Sequence, residues 1–244
     1  MSAKRFFIEG VHVRGERVDL DAADAHKIVD VLRLGSGDVI EAVDSAGVLF
    51  RATLFVSGKR LEASLDDVID ARGDDDALEI DVAQGLPKGQ KMDFVVEKLT
   101  ELGVRRIIPF ESERAVVRDA GSAKLERWRR LAQSAAQQSG RRTIPEIADP
   151  LAFDALLEQA GAYDLVLFPW EIADAQVALR ATLPGLLTGA RRVLAIVGPE
   201  GGFSHGEAAQ AQQAGAKVIS LGRRVLRTET AGIVLVSILQ YLSA

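Results

Sequence analysis

The rhythm of hydrophobic and polar positions along this chain changes near residue 72. Before that point, short and partly alternating apolar runs predict strands over Lys4 to Ile8, Asp38 to Val43, Val48 to Val56 and Leu61 to Val68. One helix interrupts them, over Ala22 to Leu34, with Asp21 or Asp24 as its start signal. Ser36-Gly37-Asp38 and Ser45-Ala46-Gly47 carry turn chemistry. So many short strands in so few residues suggest a small barrel. Asp70 to Asp76 is charged and aperiodic and reads as a linker or exposed loop.

Beyond it, strand and helix patterns alternate. Leu78 to Ala83, Arg106 to Phe110, Leu165 to Phe168, Val193 to Val197 and Val218 to Leu221 predict strands. Lys91 to Leu102 predicts an amphipathic helix with Phe94, Val95 and Leu99 on one side. Ala123 to Gln138, Ala173 to Ala181 and Glu207 to Ala214 are further helices. Thr230 to Leu242 is nearly all apolar, so burial is expected. The alternation implies an α/β domain with a largely parallel sheet. Neither an internal repeat nor a low-complexity tract is visible.

Two loops stand out. Val197-Gly198-Pro199-Glu200-Gly201-Gly202-Phe203-Ser204 and Leu221-Gly222-Arg223-Arg224-Val225-Leu226-Arg227-Thr228-Glu229-Thr230-Ala231 each follow a short strand pattern and lead into a helix. Loops at the carboxyl ends of neighbouring strands are where open α/β sheets bind ligands. Glycines there let a ligand approach the backbone closely. Phe168-Pro169-Trp170-Glu171 ends another strand, which makes it a third loop of the same pocket, with Trp170 read as core.

Gly202-Phe203-Ser204-His205-Gly206 matches a serine-hydrolase elbow. The chain rejects that reading. Only the adjacent His205 follows Ser204, no Asp follows it, and Gly198 to Phe203 separate it from the strand. Ser204 with Glu207 fits a helix capping box instead. Dinucleotide and P-loop fingerprints are absent. His12, His26 and His205 are isolated in sequence, so no metal is expected.

Composition narrows the rest. With no cysteine among 244 residues, disulfides, a cysteine nucleophile and thiolate zinc ligands are excluded. The first residues show no apolar secretory segment, and no run approaches the roughly 20 apolar residues that span a bilayer. A cytoplasmic protein with no membrane partner is expected. Net charge is -5, from 30 Lys+Arg against 35 Asp+Glu, so any nucleic-acid surface must be a local basic patch. Lys4-Arg5, Arg105-Arg106, Arg127 with Arg129-Arg130, Arg141-Arg142 and Arg223-Arg224 are the clusters, and the fourth and fifth lie in turn-like segments.

The GPEGG loop followed by LG-x-R-x-LR-x-ETA resembles the SPOUT class of RNA methyltransferases. Within it, the chain is similar to the bacterial uracil-N3 methyltransferases of small-subunit ribosomal RNA. The resemblance takes in Arg5-Phe6-Phe7, His26 through Leu32-Arg33 to Gly37-Asp38, Lys88-Gly89, Glu101-Leu102-Gly103-Val104, Ser112-Glu113-Arg114, and Gln138-Ser139-Gly140-Arg141 with Ile144-Pro145-Glu146. Gln137 departs from the family pattern, which has Glu there, so no acidic role is carried over to it.

The resemblance implies a PUA-like, RNA-binding β-barrel over residues 1–72 and a knotted, parallel-sheet methyltransferase domain over 73–244. It implies S-adenosylmethionine as cofactor, 16S ribosomal RNA of the small subunit as partner, and a homodimer. Phe168, Pro169, Glu171, Gly198, Pro199, Glu200, Gly201, Gly202, Leu221, Gly222, Val225, Leu226 and Arg227 would hold the cofactor. Arg227 would stabilise a uracil anion, with Glu200 or Glu229 as base. Arg5, His26, Arg33, Lys88, Arg114, Arg141, Arg142 and Arg224 would meet RNA. The alternatives are another SPOUT enzyme, acting on transfer RNA or a ribose hydroxyl, and a non-catalytic RNA-binding assembly factor.

Overall fold

The computed structural model describes residues 4–57, 60–71, 78–115, 121–172 and 179–243. The chain divides into two compact units, Met1–Asp75 with Ala136–Thr143, and Asp76–Ala135 with Ile144–Ala244.

The first unit holds a five-stranded sheet. Its strands are β1 (Arg5–Phe7), β2 (Arg17–Asp19), β3 (Val39–Val43), β4 (Leu49–Ser57) and β5 (Arg60–Asp70), in the order β1-β3-β4-β5-β2. Only the β1–β3 pair is parallel. Alternate inward residues, Ile40 and Ala42, then Phe50, Ala52 and Leu54, then Leu61, Ala63 and Leu65, form one buried cluster with Phe6 and Ile28. Asp21 caps α1 (Ala22–His26) by accepting from the Asp24 amide. Lys27–Val31 then winds as a π-helical turn.

Two basic residues read as RNA contacts serve this unit's own architecture. The Arg5 guanidinium is only 15% exposed; it pairs with Glu41 at 2.7 Å and donates to the Gly140 carbonyl. Arg142 donates to Asp70 at 2.9 Å. Each is engaged by a carboxylate, which leaves little charge to offer a phosphate. Gln137 also has a structural account. Lys27 donates to its Oε1 at 2.6 Å, and its Nε2 donates to the buried Asp24 at 3.2 Å. A glutamate there has no N–H to donate and would set a second negative charge beside Asp24.

The second unit is a parallel sheet of β6 (Glu79–Gly85), β7 (Arg106–Glu111), β8 (Glu146–Ile147), β10 (Leu165–Pro169), β11 (Arg192–Val197) and β12 (Lys217–Ile219), ordered β12-β10-β11-β6-β7-β8, with β9 (Leu151–Ala152) also on β7. Both faces are covered, so the central strands read as largely apolar runs, Leu165–Pro169 and Arg192–Val197 most clearly. One buried cluster holds Ile80, Val82, Val95, Leu99, Ala195, Leu235 and Leu239. It packs helices α2 (Lys91–Glu101) and α7 (Thr228–Ser243) on the sheet. The other holds Phe110, Phe153, Phe168, Ile196 and Phe203, with α4 (Phe153–Glu158) and α6 (His205–Gln213). Helices α3 (Gly121–Ser139) and α5 (Leu179–Leu187) complete the set.

Three details differ from the sequence pattern. On α2 the buried residues are Met92, Val95, Val96 and Leu99, while Phe94 is 46% exposed. On α7 one face is buried through Gly232, Leu235, Val236 and Leu239, but Tyr241 is 82% exposed. The helix expected over Ala173 to Ala181 falls mostly outside the described residues; α5 begins at Leu179.

Candidate functional site

Strands β12, β10 and β11 run side by side with β10 in the middle, and their carboxyl ends release three loops toward one place. Together with Lys91 at the start of α2 these loops line a cleft of about 450 Å³. That volume lies in the range of roughly 300–1,000 Å³ usual for small-molecule sites. The cleft brings together Pro169, Glu171, Gly198, Pro199, Glu200, Gly201, Gly202, Leu221, Gly222, Val225, Leu226 and Arg227. It adds Lys91, Trp170, Val197, Phe203, Ser220, Arg224, Thr228 and Ala231.

Phe168 does not line it. Its ring is fully buried in the aromatic cluster, 4.1 Å between centroids from Phe203. Strand alternation is the reason: successive side chains point to opposite faces, and residue 168 faces the core.

The glycines of the β11 loop are required by close packing. A Cβ on Gly198 would come to 2.9 Å of the Phe203 ring, and one on Gly201 to 3.0 Å of the Arg114 main-chain oxygen. Gly202 has φ +63°, where side chains are strained, and a Cβ there would collide with the Glu171 carboxylate. The loop ends in Ser204, whose hydroxyl accepts from the Glu207 amide while Glu207 accepts from the Ser204 amide, so the capping box is present.

Glu200 is held at this loop's outer edge. Lys91 Nζ donates to its Oε1 at 2.7 Å and the Lys88 amide at 3.0 Å. Partial burial pushes its carboxyl up, but these donors outweigh burial, and it sits below the usual glutamate value. A carboxylate so engaged is a weak base. It anchors the loop to α2, and the expectation of Glu200 as general base gives way to that role.

Arg227 and Glu229 flank the start of α7. The Arg227 side chain is 83% exposed and 4.0 Å from Glu229, a long approach. Glu229 is largely buried, and its Oε2 has no hydrogen-bond partner among the described residues. Arg224 stands exposed in the lining. The positive end of the α7 dipole favours anionic groups here.

The remaining basic residues are not among the cleft's lining. Lys88 is exposed beside the Glu200 anchor, and Arg114 is exposed with Nη1 3.4 Å from the Gly201 carbonyl. In the first unit, His26 is exposed with Nδ1 2.6 Å from Asp30; Arg33 is exposed at φ +58°; Arg141 donates to Thr143 at 3.0 Å. Arg105 and Arg106 pair with Asp81 and Glu146 at the opposite ends of β6 and β7 from the cleft.

Sequence reasoning missed Lys91, Ser220, Thr228 and Trp170 as lining. Thr228 was visible within the quoted loop, but nothing in the pattern placed Lys91 across from Glu200. Among the described residues, no group of His, Asp and Glu could hold a metal, and no helix is long and apolar enough to cross a membrane.

Comparison with known proteins adds relatives along the whole length. Residues 74–240 match the model of the RNA methyltransferase domain. The chain is 32% identical over 98% of its length to ribosomal RNA small subunit methyltransferase E of Bacillus subtilis, covering 96% of that protein. It is 34% identical to the Synechocystis protein of the same name, over 88% of this chain and 69% of that one. A crystal structure of ribosomal RNA small subunit methyltransferase E from Neisseria gonorrhoeae bound to S-adenosylmethionine superposes with a TM-score of 0.86 at 30% identity, covering 98% of each chain.

Proposed function

Because the chain belongs to the RNA methyltransferase domain family, among the ribosomal RNA small subunit methyltransferase E proteins, we propose that it uses S-adenosylmethionine to methylate N3 of a specific uridine in 16S ribosomal RNA. The observation that carries this reading is the cleft: three loops at the carboxyl ends of adjacent strands, glycine-cradled and rimmed by cations. The residues fit the cofactor. Gly198, Gly201 and Gly202 let the loop pack tightly against Phe203, Arg114 and Glu171, which fixes the loop that lines the cleft. Leu221, Leu226 and Ala231 give the apolar wall a nucleoside needs.

Bound S-adenosylmethionine would supply a methyl group already activated on a sulfonium. The chain's own task is to orient the base and manage one proton. Uracil N3 carries a hydrogen at neutral pH, so it must be removed or the resulting anion stabilised. Arg227, exposed at the cleft and only loosely approached by Glu229, is placed to stabilise the anion. Glu229, with an unpartnered buried oxygen, is the base in this reading. Arg224, Lys88, Arg114, His26 and Arg33 are exposed and suited to phosphate contact. N3 is occupied in a base pair, so the target must be unpaired or extruded.

A PUA-like fold for the first unit, a knot in the second, a cytoplasmic setting and a homodimer belong to the same reading. The exposed Tyr241, Leu242 and Phe94 support a partner surface on α7 and α2.

The test is methyl transfer from labelled S-adenosylmethionine to small ribosomal subunits lacking the modification, with the product nucleoside identified by mass spectrometry. N3-methyluridine is expected. Label on a ribose or another base would move the protein to a sibling specificity, and no label on any ribosomal substrate would overturn the reading.

A further inference from the structure

Along β6 and the residue on either side of it, the alternating row Leu78, Ile80, Val82, Gln84, Leu86 places four of its five members in the apolar core cluster shared with α2 and α7. Gln84 is fully buried among them. A strand covered on both faces has no ordinary use for an amide at such a position, since burying one is unfavourable unless it is hydrogen-bonded.

Its bonds lead to the cleft. Gln84 Nε2 donates to the Gly85 carbonyl at 3.0 Å and to Thr228 Oγ1 at 2.8 Å. The Thr228 hydroxyl donates in turn to the Gly198 carbonyl. This order of donors fixes the amide's orientation, because the flipped amide would set an oxygen against the Gly85 carbonyl. The opposite helix, α7, presents Gly232 beside it, where an added Cβ would sit at ordinary contact distance, 3.7 Å, from Gln84 Oε1.

We propose that Gln84 is a positioning residue of the cleft, holding the first residue of the β11 loop and the first turn of α7 in register through Thr228. This rests on reading the cleft as the cofactor site. The residue touches neither ligand nor reacting group. It sets where Gly198 begins its loop and where Arg227 and Glu229 leave theirs, so its loss loosens two walls at once. Near-isosteric Gln84→Met fills the space but removes the donor.

The experiment is calorimetric titration of S-adenosylmethionine into the full chain, with the variants Gln84→Met, Thr228→Val, the double variant, and Val82→Ala. Val82 faces the same core two residues earlier, so Val82→Ala destabilises that core without touching the link. Expected are affinity losses of about tenfold for Gln84→Met and for Thr228→Val, a double variant no weaker than either, and wild-type affinity in Val82→Ala. Thr228→Val interrupts the same link from α7 and reads it if Gln84→Met fails to fold. Wild-type affinity in both single variants, losses that multiply in the double, or an equal loss in Val82→Ala would overturn the assignment while leaving the cleft as the cofactor site. Failure of the wild-type chain to bind S-adenosylmethionine would overturn the reading of the cleft itself, and the role of Gln84 with it.

Discussion

A single methyl group at residue 85 should disable the cleft although residue 85 does not line it. Gly85 ends β6, and a Cβ built there would lie 2.6 Å from Pro199 Cδ, 2.7 Å from Pro199 N and 3.1 Å from the Gly198 carbonyl carbon. Carbon atoms pack at about 3.5–4.0 Å, so the neighbours must retreat by about 1 Å. All three are ring or main-chain atoms, and no rotamer change relieves the clash. The strand itself is held on both sides, by β11 and by β7, where Gly85 pairs with Phe110. The loop from Gly198 to Phe203 is therefore what moves. Over-packing of this kind costs about 1–3 kcal/mol of stability. A displacement near 1 Å at a reacting geometry costs on the order of 100-fold in rate. Gly85→Ala should remain folded, bind S-adenosylmethionine at least about tenfold more weakly, and turn over about 100-fold more slowly. Gly161→Ala, where an added Cβ meets nothing within 4 Å, is the control. Calorimetry and a methyl-transfer assay read the two effects. Wild-type affinity and turnover in Gly85→Ala would refute the argument that Pro199 is fixed against this strand.

Further outcomes follow from the same geometry. Arg227→Ala should lower methyl transfer by more than about 100-fold with an unchanged melting temperature, because its side chain is 83% exposed and only loosely paired; near-normal turnover removes it from the mechanism. Gly201→Val should abolish cofactor binding by driving the loop off the Arg114 main chain, and unchanged affinity in titration would take this loop out of the site. Glu200→Gln should reduce turnover by less than about tenfold, since an amide oxygen still accepts from Lys91 and Lys88; a loss beyond about 1,000-fold would reinstate Glu200 as the base. Burial raises the Asp24 carboxyl above its ordinary value of 3.8, opposed by the Gln137 hydrogen bond. The folded chain thus holds this proton more tightly than the unfolded one, and stability from this group is lost as pH rises from 3.8 through the raised value. Asp24→Asn should therefore gain stability over wild type across that interval in denaturant melts, and a pH-independent difference would contradict it.

The strands that carry the site were legible because burial on both faces leaves a continuous apolar run, as at Val193 to Val197. Elements too short for a period were not: β2, β8 and β9 span two or three residues, and α4 buries only Phe153 and Leu156. The π-helical turn at Lys27–Val31 was invisible because its hydrogen-bond register leaves no mark in the apolar spacing. At the site, glycines and arginines announced the loops, since backbone approach and charge are properties of residue types. The partners were hidden. Glu200 looked like a candidate base until Lys91, 109 residues away in sequence, was seen to hold it. Gln84 fell just past the strand expected over Leu78 to Ala83, and its meaning lies in Thr228.

That last pairing also sets a clock. Gln84 and Thr228 are separated by 144 positions. At the roughly 5–20 residues per second of protein synthesis, the amide is made about 7 to 29 seconds before the hydroxyl it must meet. During that interval Gln84 lacks the α7 hydroxyl that it bonds in the finished fold, and the sheet face that α7 covers waits for its helix. A growing chain in that state has no use for the cofactor however abundant it is. Ligand cannot template the fold early, and the chain's long-range closure leaves its exposed sheet face in the care of whatever shields nascent proteins in the cell.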